Sequence, residues 1–294
     1  MTEILVGTSA GLEAVAGESG QVSEPIVALA AGENARWALV GHGDLLRSDD
    51  GAWERVASLE GYRGRCLLPT DEALLVGTSE AHLYRLTRDA LELADGFEDV
   101  DGRDDWYTPW GGPPDTRSMA VDPAGTVFVN VHVGGIVRTR DGTTWEPTID
   151  IDADVHQVTA APDGTILAAC ARGLAASGDG GDRWEISDDG LHGSYCRAVA
   201  VAADSVLVTA STGPFSKQAA VYRRSRGGGE SFERCGGGLP EWFSSNIDTH
   251  CLAARETLVA FGTDQGEVWV SEDEGRTWTR AAEELPAVTS VLIE

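Results

Sequence analysis

Ser271-Glu272-Asp273-Glu274-Gly275-Arg276-Thr277-Trp278 has the composition of a tight turn between two strands. It closes one short apolar segment and precedes another, in the pattern S-x-D-x-G-x-x-W, and the pattern returns along the chain. Ser177-x-Asp179-Gly180-Gly181-x-x-Trp184 is a second full copy, while Thr139-x-Asp141-Gly142-x-x-Trp145 and Ser48-x-Asp50-Gly51-x-Trp53 are shortened. A fifth, Ser225-x-Gly227-Gly228-Gly229-x-x-Phe232, has lost its aspartate. The steps between Ser or Thr positions are 38 (139 to 177), 48 (177 to 225) and 46 (225 to 271), each the length of one four-stranded antiparallel unit. The 91-residue gap from Ser48 to Thr139 holds two units. Its hidden one is Leu74-Leu75-Val76-Gly77-Thr78 followed by Leu83-Tyr84-Arg85-Leu86. With the equivalent opening segment Ile4-Leu5-Val6-Gly7-Thr8 the count is seven, and Val288-Thr289-Ser290-Val291-Leu292-Ile293 is expected to complete the first unit and close a ring.

These turns resemble the Asp-box (BNR) repeat of sialidases, sortilin, xyloglucanases and the photosystem II assembly factor, and the resemblance runs over nearly the whole chain. It implies an all-β, seven-bladed β-propeller formed as a single domain over residues 1–294. In such turns the Asp accepts backbone N–H bonds, the Gly supplies a positive φ and the Trp packs between sheets. These residues are therefore read as hairpin structure, not chemistry.

Composition agrees with short strands and tight turns: 42% of the residues are hydrophobic, 36 are glycine, and no long amphipathic helical pattern occurs. Against 22 basic residues stand 48 acidic ones, a net charge of −26, so the surrounding field repels nucleic acid and anionic membranes. Lys217 is the only lysine. The five cysteines, Cys66, Cys170, Cys196, Cys235 and Cys251, lie mostly in apolar strand patterns without CxxC spacing and read as core thiols. That usage, and a start at Met1 that enters a strand at once without a signal pattern, make a cytoplasmic, soluble protein and a monomer the expectation. P-loop, dinucleotide and G-x-S-x-G motifs are absent.

Aligning the inner strands places Arg65, Arg117, His156, Arg197 and His250 at one repeat position near the mouth of the expected central channel, with Ile26 and Thr289 in the other two blades. Such a ring would form a cationic funnel for a carboxylate or phosphate. Asp115, Asp154, Tyr195 and Asp248 stand two positions earlier, so the same residues also read as an inter-blade ion-pair network. Two long loops feed this face: Asp101 to Asp115, with Trp106, Tyr107 and Trp110, and Leu239 to Asp248, with Glu241 and Trp242. Aromatic faces beside carboxylates suit sugars or other polar rings. Asn130 ends a strand together with His132, an unusual pair of polar groups there.

Three functions follow. The first is a propeller that binds a small anionic or sugar-like ligand, or an acidic peptide group; another is a protein-assembly factor like that of photosystem II, which would meet a protein partner on a broad flat face without convergent charges. The alternative is a sialidase-like glycoside hydrolase or a lyase, with Arg65, Arg117 and Arg197 as clamp, Asp115 or Asp248 as acid/base, and Tyr195 with Glu241 as nucleophile pair. The F/Y-R-I-P motif of sialidases is missing near the start, and seven blades differ from their six. No organic cofactor is expected. A divalent metal held by His132, His156 and His250 with an Asp is the one cofactor the residues suggest.

Overall fold

A computed structural model of the chain describes residues 3–16, 21–88, 90–227 and 229–294; Met1, Thr2 and Gly228 of the fifth turn lie outside them. The strands follow in sequence as antiparallel sheets. β1 (Ile4–Thr8) and β2 (Gly11–Ala16) open the chain. Next come β3 (Ile26–Ala31), β4 (Arg36–Val40), β5 (Asp44–Ser48) and β6 (Glu54–Ser58), then β7 (Gly64–Pro69), β8 (Leu74–Thr78), β9 (Leu83–Leu86) and β10 (Leu91–Leu93). The fourth group is β11 (Asp115–Val121), β12 (Val127–His132), β13 (Gly135–Thr139) and β14 (Glu146–Ile149), and the fifth is β15 (Val155–Ala160), β16 (Ile166–Cys170), β17 (Gly173–Ser177) and β18 (Glu185–Ser187). The sixth is β19 (Tyr195–Val201), β20 (Ser205–Ser211), β21 (Ala220–Ser225) and β22 (Glu233–Arg234), and the seventh β23 (Leu252–Arg255), β24 (Leu258–Gly262), β25 (Val268–Ser271) and β26 (Thr279–Ala282). Six of these are four-stranded sheets in sequence order, and the last strand, β27 (Val288–Ile293), lies antiparallel to β1 in a three-stranded sheet β2-β1-β27. This succession is the seven-bladed β-propeller arrangement. The hidden unit lies where the apolar runs put it, as β8 and β9. Among the described residues no helix is long and apolar enough to cross a membrane.

Burial differs among the strands of a sheet, and the fourth strands are the least buried. The second strands β8, β16 and β20 are buried throughout, which is why they read as continuous apolar runs rather than alternating ones. The fourth strands β6, β18 and β26 are largely exposed and correspondingly polar.

The chain divides into two compact units, one comprising 27–168 and 175–185, the other 1–26, 169–174 and 186–294. In the first, Phe97, Val129, Val131, Val137 and Trp145 form one core and Leu39, Leu45, Leu67 and Val76 another. In the second, Phe243, Phe261, Trp269 and Trp278 pack with Leu207 and Val259, and Val6 packs with Val268, Val288 and Val291.

The recurring turns are built from side-chain hydrogen bonds. Asp273 accepts from the Arg276 and Thr277 amides at 3.0 and 2.8 Å, and Ser271 Oγ donates to Asp273 at 2.8 Å while accepting from Gly275 N at 2.8 Å. Gly275 holds φ +83°, and the Trp278 indole N–H donates to its carbonyl at 2.9 Å. Asp179 and Ser177 repeat this scheme with Gly181 and Arg183. In the shortened turn at Thr139, Asp141 accepts from the Thr143 and Thr144 amides, but the Trp145 indole reaches out of its own turn to Asp95 O at 3.0 Å. Gly96, at φ +72°, makes room for that contact, since a Cβ there would stand 1.9 Å from Thr143 O.

Candidate functional site

The aligned cations sit on irregularities of the first strands. The β7–β8 ladder shifts register between Gly64 and Cys66, β11–β12 between Thr116 and Ser118, and β19–β20 between Cys196 and Val199. Arg65, Arg117 and Arg197 are therefore bulge residues, and a bulge turns its side chain away from the regular alternation. Each arginine addresses a carboxylate that begins or precedes a later first strand. Arg65 Nε lies 2.9 Å from Asp115 Oδ2, Arg197 Nε lies 3.4 Å from Asp248 Oδ1, and Arg117 acts on Asp154 electrostatically. Tyr195 lies beneath the Arg197 guanidinium, 5.5 Å from ring centroid to Cζ.

Within the first unit, a polar cluster forms where β12 ends and β15 begins. His132 Nε2 lies 3.2 Å and His156 Nε2 3.7 Å from Asp154 Oδ1. His156 is fully buried, and the His132 side chain is 10% exposed. Asp154 follows a short 3-10 turn, Ile151–Ala153, and takes a left-handed conformation with φ +49°, which aspartate tolerates better than most residues. Burial pushes its carboxyl up, but His132, His156 and Arg117 outweigh that and hold it below the usual carboxylate range. The third group beside the two histidines is thus Asp154, whereas His250, at φ +65° in the turn before β23, belongs to the other unit. Asn130 is fully buried on the same strand as His132. It donates through Nδ2 to Ser118 Oγ, which accepts from Val158 N of β15, and Asn130 Oδ1 has no hydrogen-bond partner.

The Asp101–Asp115 loop divides its aromatics between two tasks. Trp106 packs on Phe97 at 6.2 Å with the Arg103 guanidinium 4.9 Å from its ring, so it fastens the loop to the blade. Tyr107 is exposed, and Trp110, 70% exposed, stands 5.4 Å from the His132 ring.

Within the second unit, a cleft of about 590 Å³ is lined by Arg197, Pro214 to Lys217, Ser244 to Asn246, Asp248, Thr249 and neighbouring residues. Phe215, 94% exposed, is the most exposed large apolar side chain described. Asn246 Nδ2 donates to the Gly213 and Pro214 carbonyls at 3.1 and 3.0 Å and pins the loop that carries it. Thr249 N donates to Asp248 Oδ1 at 2.9 Å, and its hydroxyl donates to Arg197 O at 3.2 Å. Ser245 donates to Asp264. Trp242 lies deeper, 4.5 Å from the His192 ring and beneath Arg234, and the exposed Glu241 beside it accepts from Arg234 through its backbone carbonyl. His192 in turn bonds Tyr222 Oη of β21 at 2.7 Å and Gln218 O, next to Lys217, at 2.9 Å. The alignment of first strands could not reveal Phe215 and Lys217, because they lie in a loop between second and third strands. A Phe two residues before the chain's only lysine was their one visible signal.

No protein-family model matches the chain, and no curated protein matches it in sequence. Solved structures do match in fold. YCF48 bound to D1 peptide aligns over 99% of this chain and 95% of its own, at 15% identity and a TM-score of 0.64. An ancestral GH74 enzyme aligns over 99% of this chain and 40% of its own, at 14% identity and TM-score 0.64. A streptogramin B lyase aligns over 97% and 88%, at 12% identity and TM-score 0.64. At these identities the likeness is one of fold alone.

Proposed function

We propose that this propeller is a binding protein, taking a small acidic or sugar-like ligand or an acidic peptide group in the cleft that carries Arg197, Phe215, Lys217 and Asn246. The observation that carries this reading is the meeting, in about 590 Å³, of a bulge arginine, the only lysine and amide and hydroxyl groups with a 94% exposed phenylalanine. A large apolar ring left in water beside convergent polar groups is what a site for a polar molecule with one flat or apolar face requires. A guanidinium has five N–H donors; here the buried Nε faces Asp248 at 3.4 Å, and the terminal nitrogens are the donors an entering carboxylate would meet. YCF48 is solved with a peptide on a propeller of this fold, which makes a peptide ligand compatible with the scaffold.

Binding is favoured over the glycosidase or lyase alternative because the carboxylates proposed for acid–base work already have partners. Asp115 holds Arg65, and Asp248 holds Arg197. The remaining elements of the proposal are a single domain, a monomer, and the turns as degenerate Asp-box repeats, whose hydrogen bonds support that last assignment.

Melting curves with acidic sugars, neutral sugars, dicarboxylates and short acidic peptides test the proposal. A ligand at a hundred times its Kd adds about 2.7 kcal/mol, a visible shift. We expect a shift with acidic or sugar-like compounds that is lost in Phe215→Ala and Lys217→Gln, two exposed substitutions that leave the unliganded melt unchanged. No shift with any class, or an equal shift in both variants, overturns it.

A further inference from the structure

His132, Asp154 and His156 form a group of metal-ligating side chains whose donor atoms lie within 4.8 Å of one another. We propose that they bind a divalent first-row metal ion of the zinc class. The site belongs to the first unit and is independent of the ligand cleft.

Two imidazoles and one carboxylate are a donor set that zinc and its neighbours take, with the fourth tetrahedral position left to water or an incoming group. Ligands about 2.0 Å from a tetrahedral ion stand about 3.3 Å from one another. Asp154 Oδ1 already lies 3.2 Å from His132 Nε2 and 3.7 Å from His156 Nε2, and all three donors lie within 4.8 Å of one another, so drawing the two imidazoles together closes the site. The imidazoles need little ordering, since one is fully buried and the other nearly so. A second observation lies on the same wall. Asn130, two residues before His132 on β12 and tied through Ser118 to β15, keeps a fully buried carbonyl oxygen without a hydrogen-bond partner. Such an acceptor suits a metal-bound water or the ion's outer shell. Arg117, whose charge reaches Asp154, opposes a dication, so removing that charge should strengthen binding.

The test is a titration of the full-length, chelator-treated protein with Co²⁺, read by the visible absorption of tetrahedral cobalt and by displacement with Zn²⁺. We expect one cobalt per chain, displaced by zinc. The affinity should fall more than about ten-fold in Asp154→Asn and in His132→Gln, and hold or rise in Arg117→Gln. Asn tolerates the left-handed backbone at 154, so Asp154→Asn keeps its fold if His132→Gln does not. Absence of the tetrahedral band overturns the proposal. So does a band of unchanged affinity in Asp154→Asn, which would place the ion on the acidic surface, with the His–Asp cluster only a structural contact.

Discussion

Single residues in this chain do their work through what they accept or exclude. The Asp273 carboxyl is pushed up by its partial burial, but the Thr277 hydroxyl and amide, Ser271 and Arg276 outweigh that and hold it at about 2. An unfolded aspartate titrates near ~3.9. The charged form is thus favoured in the folded chain, and its contribution is present above the unfolded value and lost as pH falls toward 2. Asp141 and Asp179 are lowered in the same direction by their own turn amides and hydroxyls. We expect the melt of the native protein to fall between pH 4 and 2, with Asp273→Asn showing a smaller fall over that range and costing about 1 kcal/mol at neutral pH. An identical acid limb in the variant would contradict this. The five thiols are all buried and take part in no disulfide. Burial pushes Cys235 up to about 12 and Cys66, Cys196 and Cys251 higher still. Iodoacetamide at pH 8 should therefore label the native chain far more slowly than the chain in denaturant, and mass spectrometry reads the difference.

At the scale of elements, the first strands carry bulges and the turns carry ties. Arg138 of β13 is buried and binds Asp182 at 2.6 Å, Glu146 at 3.1 Å and the Gly180 carbonyl, joining its strand to the turn after β17. Arg138→Ala removes charge-assisted bonds to a buried cation and should cost about 2 kcal/mol in urea unfolding. A cost below about 0.5 kcal/mol would mark the tie as ornamental. These elements were unequally legible in the sequence. Strand order, the hidden β8–β9 unit and the turn chemistry follow from apolar runs and Ser, Asp and Gly spacing, because a tight turn accepts few residues. The bulges were illegible, since Arg65, Arg117 and Arg197 look like ordinary strand positions until the ladders are seen to slip around them. His250 aligned with His156 by its apolar neighbours, yet its left-handed backbone puts it in a turn and β23 begins only at Leu252. The pairing of the arginines with later carboxylates was legible as one of two readings, because Asp115, Asp154 and Asp248 stand two positions before the aligned cations, but the choice between that network and an open cationic ring depends on rotamer and bulge, which a linear pattern does not encode.

At the scale of the whole molecule, the net charge of −26 is the dominant physical property. Self-repulsion at low ionic strength opposes the folded state, and the Debye length shrinks from about 30 Å at 0.01 M to about 3 Å at 1 M salt. We expect the melting temperature to rise with sodium chloride across this range; a fall would mean that screened attractive pairs outweigh the surplus of carboxylates. The same field makes a cationic spot informative: Arg197 and Lys217 share the cleft with Asp248 and Asp264, a local balance that the chain average does not predict. That balance, with Phe215 exposed above it, is the basis for assigning a binding function here. The most direct measurement is amide hydrogen exchange of the full chain with and without the panel compound that gives the largest melt shift. We expect slowed exchange in 213–218 and 244–249, lost in Lys217→Gln. Protection confined to other segments, or the same protection in Lys217→Gln, would contradict it.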